Sequence, residues 1–171
     1  TDSRYYNESY PGYGVSNPAT HTSCKDLPNV NEMTWYAKYG DPRWDADELW
    51  TTMGHLYKGG MWFKKKAQIS GYNSSTAADG TDWRTTNKSQ NWPVAQTLPS
   101  AADAGNYFYL PALGYYYSGQ LISVGIVGNY WLSSAYPWYS GTEAYHLNFN
   151  SGFVTLFHAL RSHGFRVDGF E

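Results

Sequence analysis

The chain has 171 residues and a formal net charge of -2, with 12 Lys and Arg against 14 Asp and Glu. That length suits one domain with a real hydrophobic core, and the charge balance supplies no basic field to hold nucleic acid. The single cysteine, Cys24, excludes an internal disulfide, a Cys-rich metal centre and a two-cysteine redox site. No apolar run of about 18 residues marks a membrane span and no signal peptide is visible. The expectation is a mature or excised C-terminal domain of a longer secreted protein. Aromatic residues make up 19% of the chain, with 17 Tyr and 8 Trp. Together with Gly, Ser and Asn they resemble an antibody paratope in composition; a loop-rich fold with an aromatic core has the same composition.

Residues 1–26 are rich in Tyr, Pro and Gly and lack periodicity, which predicts an extended arm or linker. A first helix is predicted over 27–39, with Pro28 in its first turn, Val30, Met33 and Ala37 on one face, and Gly40 ending it. A second helix is predicted from Asp45. Glu48 follows three residues later as in a capping box, and Leu49, Trp50, Met53, Leu56 and Tyr57 recur at helical spacing up to Gly59-Gly60. His55 on this segment reads as a surface or satisfied histidine rather than a ligand. Residues 61–66 form a short strand with a Lys tail, and Lys64, Lys65 and Lys66 are a solvated edge guard. Residues 70–106 form a long polar loop. Residues 106–111 read as a strand central to the core, and 115–120 lead by a turn into the C-terminal block.

In that block, Tyr145, Leu147 and Phe149 alternate with His146 and Asn148, a period of two with one apolar face. Asn150-Ser151-Gly152 is a turn signal, and 153–160 is the returning strand. A hairpin that keeps Tyr145, Leu147, Phe149 and Val154 inside places His146, Asn148, Phe153, Thr155 and Phe157 on the other face. Apolar residues on both faces mean either a buried strand or an exposed recognition patch.

The Trp131-Leu132-Ser133-Ser134 block, the hairpin Ala144-Tyr145-His146-Leu147-Asn148-Phe149-Asn150-Ser151-Gly152 and the terminal Arg161-Ser162-His163-Gly164-Phe165-Arg166-Val167 resemble the Fibrobacter succinogenes major paralogous domain. Tyr109-Leu110-Pro111-Ala112-Leu113-Gly114-Tyr115 and the segment from Leu49 to Tyr57 fit the same pattern. The similarity extends over about 27–171 and is closest to C-terminal modules of fimbrillin-like adhesins. It implies an α+β, C-type-lectin-like fold: two helices plus antiparallel sheets with long irregular loops. It also implies an extracellular or cell-surface adhesin, at a pilus tip attached to the outer membrane, with a variable region at about 125–167.

Many members of that family carry Asn at the positions between framework residues and are targets of diversity-generating retroelements, which randomise template adenines. An Asn codon changed at its two adenines cannot yield Trp, Met, Gln, Lys or Glu. Residues 150–165 contain none of these five. The resemblance therefore implies a ligand surface drawn from Ile126, Val127, Leu132, Tyr136, Trp138, Tyr139, Thr142, Glu143, His146, Asn148, Phe153, Thr155, Phe157, His158, Leu160 and His163. Trp138 is fixed framework or a fixed rim residue by the same codon argument, and Leu132 departs from the family's usual Ser.

Three functions follow. The first is a non-enzymatic binding module for a protein or glycan on a host or bacterial surface, with apolar contact area and hydrogen bonds from His and Asn. A patch led by Phe and Leu suits a protein better than a sugar. The Glu-Pro-Asn, Gln-Pro-Asp and Trp-Asn-Asp motifs of calcium-type lectins are absent, so no calcium, other metal or cofactor is expected. The second is an enzyme. The formylglycine-generating enzymes end similarly but need paired cysteines, and no spacing among His55, His146, His158, His163, Glu143 and Asp168 marks a triad, a zinc site or a paired-carboxylate site. The third is a structural domain that only joins pilus subunits, including an upstream one, and has no diversified ligand site. Neither nucleic acid nor membrane insertion is expected in any of them.

Overall fold

The structure is a computed structural model that describes residues 19, 22–136, 142–167 and 170–171. Most of the predicted N-terminal arm therefore lies outside the described residues. The first helix, α1 (Val30–Tyr39), forms as a capping box dictates. The Asn29 side chain accepts from the Glu32 amide at 3.0 Å, and the Glu32 carboxylate accepts from the Asn29 amide at 2.8 Å. Pro28, expected in the first turn, precedes this cap. Val30, Met33, Tyr36 and Ala37 are buried, and the Gly40 amide closes the helix on the Tyr36 carbonyl.

The predicted second helix does not exist, and the expected two-helix α+β arrangement is overturned. Among the described residues the protein is mostly β, 43% strand and 11% helical, with one α-helix and three sheets. Residues 43–64 form a hairpin of β1 (Arg43–Thr52) and β2 (His55–Lys64). The capping signal was real but differently used. Asp45 Oδ1 accepts from the amides of Asp47 and Glu48, both at 3.0 Å, as an N-cap would. Here those amides are freed by a register irregularity between Asp45 and Leu49, and the chain continues extended. Met53 and Gly54 both have positive φ, 51° and 77°, which makes the two-residue turn that matches strand twist. The helical spacing of Trp50 and Tyr57 is equally the spacing of cross-strand partners, whose rings stack at 5.2 Å.

The strand β4 (Tyr107–Pro111) completes a sheet of order β1-β2-β4. Its Tyr107, Phe108 and Leu110 are buried as expected, although it sits at the sheet edge. Within the predicted loop, Gln90–Pro93 forms β3, which the sequence reading missed. β5 (Tyr115–Tyr117) and β6 (Gln120–Ile122) make a small hairpin. β7 (Gly128–Ala135), β8 (Glu143–Phe149) and β9 (Phe153–Leu160) join β3 in a four-stranded sheet of order β3-β9-β8-β7.

The β8–β9 hairpin has the predicted faces. Tyr145, Leu147, Phe149, Val154 and Leu156 are wholly buried and packed in one core with α1 residues, Phe63 and Tyr130. Asn150 closes the turn without positive φ, its Oδ1 accepting from the amides of Gly152 (2.8 Å) and Phe153 (3.2 Å). The Ser133-Ser134 pair docks the helix start onto β7. Ser134 Oγ accepts from the Val30 amide at 3.0 Å, satisfying a donor that the first helical turn leaves over.

The long segment between β2 and β4 is tied down by side chains. The Asn31 amide donates to Asp82 Oδ1 (2.8 Å) and the Ser75 carbonyl (3.0 Å), while its oxygen accepts from the Trp83 amide (2.9 Å). The Tyr145 hydroxyl lies 3.1 to 3.4 Å from the carbonyls of Trp83, Thr86 and Lys88.

At Gly128 an added Cβ would lie 2.1 Å from the Phe149 ring. Gly128→Ala is expected to lower unfolding free energy by about 1–3 kcal/mol, read as a reduced urea midpoint with an unchanged m-value.

Candidate functional site

The outward face of the four-stranded sheet carries two cross-strand rows set by register. One row is aromatic: Trp131 on β7, His146 on β8 and Phe157 on β9 are paired in sequence. The next is polar and uncharged. It runs across all four strands as Asn129, Asn148, Thr155 and Asn91. Asn148 Nδ2 donates to Asn129 Oδ1 at 3.0 Å. Thr155 Oγ1 is inaccessible to solvent and has no hydrogen-bond partner, and His146 Nδ1 is in the same condition.

The C-terminal segment folds back over one end of this face. It is held along β7 by hydrogen bonds of the Arg166 amide to the Asn129 carbonyl and of the Trp131 amide to the Arg166 carbonyl. This places the Phe165 ring 4.6 Å from Trp131, 4.8 Å from His146 and 5.7 Å from Tyr115. Between this segment and the hairpin opens a hollow of about 550 Å³. Eight sequence-predicted residues border it: Val127, Glu143, His146, Asn148, Phe157, His158, Leu160 and His163. Phe157 and Leu160 are 43% and 46% exposed there.

Phe153, 40% exposed, and Thr155 share the outward face but lie outside the hollow, and Ile126 and Thr142 are exposed beside it. Leu132 and Tyr136 are not surface residues. They are 3% and 1% exposed and belong to the core, because the strand alternation that turns Trp131 outward turns Leu132 inward. Tyr136 packs edge-on against Tyr145 and its hydroxyl donates to Asn87. Trp138 and Tyr139 lie outside the described residues. Sequence reading missed Tyr115, Asn129, Trp131 and Phe165. Asn129 and Trp131 sit in the run Asn129-Tyr130-Trp131-Leu132, whose two faces both carry large rings, so alternation gave no signal. Phe165 reaches the site only through the chain's return.

His146, expected to be exposed, is 6% exposed. Burial pushes its imidazole down to about 3, and the nearby His158 and His163 add to the effect. It is a neutral ring at neutral pH. The His158 ring stacks on Tyr136 at 3.7 Å and pairs through Nδ1 with the Glu143 carboxylate, so the carboxylate bordering the hollow already has a partner. Among the described residues no group of three or more His, Cys, Asp or Glu side chains is placed to hold a metal ion. No helix among them is long and apolar enough to cross a membrane.

Compared with protein-family models, with curated proteins and with solved structures, the chain gives no match.

A histidine held neutral in the native state titrates only after unfolding. Stability from His146 is therefore complete above about pH 6.5 and is lost as pH falls toward about 3. Between about pH 6.5 and 4.5, above most carboxylate titration, His146→Phe is expected to remove up to about 1.4 kcal/mol of acid destabilisation per pH unit. Urea unfolding at stepped pH checks this.

Proposed function

We propose that this chain is a non-enzymatic binding domain of a cell-surface adhesin, with the outward face of β8–β9 and the adjoining hollow as its ligand surface. The observation that carries the reading is the division of the hairpin. Phe153 and Phe157 are exposed on β9, where the intervening Val154 and Leu156 are wholly buried. Substituting the exposed set leaves the core untouched, which is what a diversified surface needs. The resemblance to fimbrillin-like adhesin modules supports an extracellular location at a pilus tip, and the ligand is a protein or glycan surface. Glu143, like Trp138, is barred from a randomised Asn codon and serves as the fixed partner of the variable His158.

A second reading, a domain that only joins pilus subunits, draws on a different surface. The β1–β2 hairpin exposes Leu49, Met53 and Leu56 by 60 to 70%, and Tyr116 donates its hydroxyl to Met53 Sδ at 3.3 Å. This apolar patch lies on other strands than the hollow.

Deep sequencing of the gene's 3′ end and flanking DNA in a growing bacterial population tests the first reading. Substitutions are expected to cluster at the codons for Ile126, Asn148, Phe153, Thr155, Phe157, His158, Leu160 and His163 and to spare Tyr145, Leu147, Val154 and Leu156, with an adenine-rich template repeat nearby. A uniform sequence with no template would remove the diversified surface and favour the subunit-joining domain.

A further inference from the structure

We infer that Met53 is a site of reversible oxidation by hydroperoxides, and that the Tyr116 hydroxyl decides which of the two sulfoxide epimers forms. The inference concerns the tip of the β1–β2 hairpin and stands apart from the ligand reading above.

The chain has three methionines. Met33 on α1 and Met61 on β2 are 1% and 0% exposed, whereas Met53 is 70% exposed. The turn accounts for the difference. Met53 and Gly54 are the two residues between the paired Thr52 and His55, so the thioether lies at the end of the ribbon, open to a dissolved oxidant. A buried thioether is reached only when the core opens.

The sulfur is not open on every side. The Tyr116 hydroxyl donates to Met53 Sδ at 3.3 Å and so engages one of its two lone pairs. Tyr116 is itself held in place by its backbone. It donates to the Gly164 carbonyl (3.0 Å), accepts from the Gly164 amide (3.1 Å) and pairs with Leu121 on β6. Oxygen added at one lone pair or the other gives opposite epimers. In the reaction the open lone pair attacks one oxygen of hydrogen peroxide, the S–O bond forms and the O–O bond breaks. The second oxygen leaves as water, carrying both peroxide protons. Sulfur is oxidised by two electrons and the peroxide is reduced by two. With Tyr116 on the other lone pair, one epimer forms in excess. The product is polar, and it lies on the same hairpin as the exposed Leu49 and Leu56. Oxidation therefore makes that patch less apolar, and a reductase specific for the epimer restores it.

The test treats the folded protein with hydrogen peroxide and follows each methionine by peptide mass mapping. The oxidised Met53 peptide is then divided between methionine sulfoxide reductases A and B, each of which reduces one epimer. Met53 is expected to oxidise at least about tenfold faster than Met33 and Met61, and one reductase is expected to restore most of the peptide while the other restores little. Tyr116→Phe keeps the ring and removes the hydroxyl; folded by its urea midpoint, it is expected to give the two epimers in near-equal amounts. Oxidation of Met33 or Met61 as fast as Met53 in the folded protein overturns the site. Near-equal epimers without any substitution, or the same excess in folded Tyr116→Phe, overturns the role of Tyr116.

Discussion

The register of the β8–β9 hairpin is the constraint on which the rest of the structure depends. Pairing places Tyr145, Leu147 and Phe149 opposite His158, Leu156 and Val154. Five of these side chains, all but His158, are wholly buried. At about 2 kcal/mol for each large apolar side chain, burial of the five is worth on the order of 10 kcal/mol, comparable to the whole stability of a domain this size. A slip of one residue would turn that set to solvent and bring His146, Asn148, Phe153 and Thr155 inward. The turn enforces the register locally, because the Asn150 side chain accepts from the amides two and three residues on.

From that fixed inner face the structure builds outward in both directions. On the inside, the Tyr145 hydroxyl reaches three loop carbonyls while Asn31 grips Asp82, Ser75 and Trp83. The long segment between β2 and β4 therefore hangs from the helix and from β8. On the outside, the same register lines up an aromatic row and a polar row, and the C-terminal segment covers the β7 end of the aromatic row with Phe165. The hollow is what that cover leaves open.

The parts legible in the sequence were those governed by local rules. Strict alternation gave β8 and its buried Tyr145, Leu147 and Phe149, the Asn150-Ser151-Gly152 turn gave the returning strand with Val154 inside, and apolar spacing with Gly40 gave α1; the burial of Leu156 was not assigned. Competing local rules misled at 45–57. Asp45 does accept amides two and three residues on, but Thr51, Thr52 and the Met53-Gly54 turn prevail, and a helical spacing becomes a cross-strand one. β3 was hidden because Gln90, Asn91 and Pro93 carry no apolar pattern; it exists by pairing with β9. In the site, exposure of Phe153 and Phe157 followed from parity alone. The burial of His146 did not, since it requires Phe165 and Trp131 to arrive from β7 and the chain's end. Leu132 and Tyr136 were assigned to the surface by position within the C-terminal block, and their place in the alternation and in the core packing decides otherwise.

The central claim is that the two faces of this hairpin are energetically separable. Two displayed libraries test it most directly: one randomises Asn148, Phe153, Thr155 and Phe157, the other Tyr145, Leu147, Val154 and Leu156. Protease resistance is then scored across each. The account predicts that a large share of the outward library stays resistant and almost none of the inward library does. Equal loss of resistance in the two libraries would contradict it, and would make the outward face part of the core.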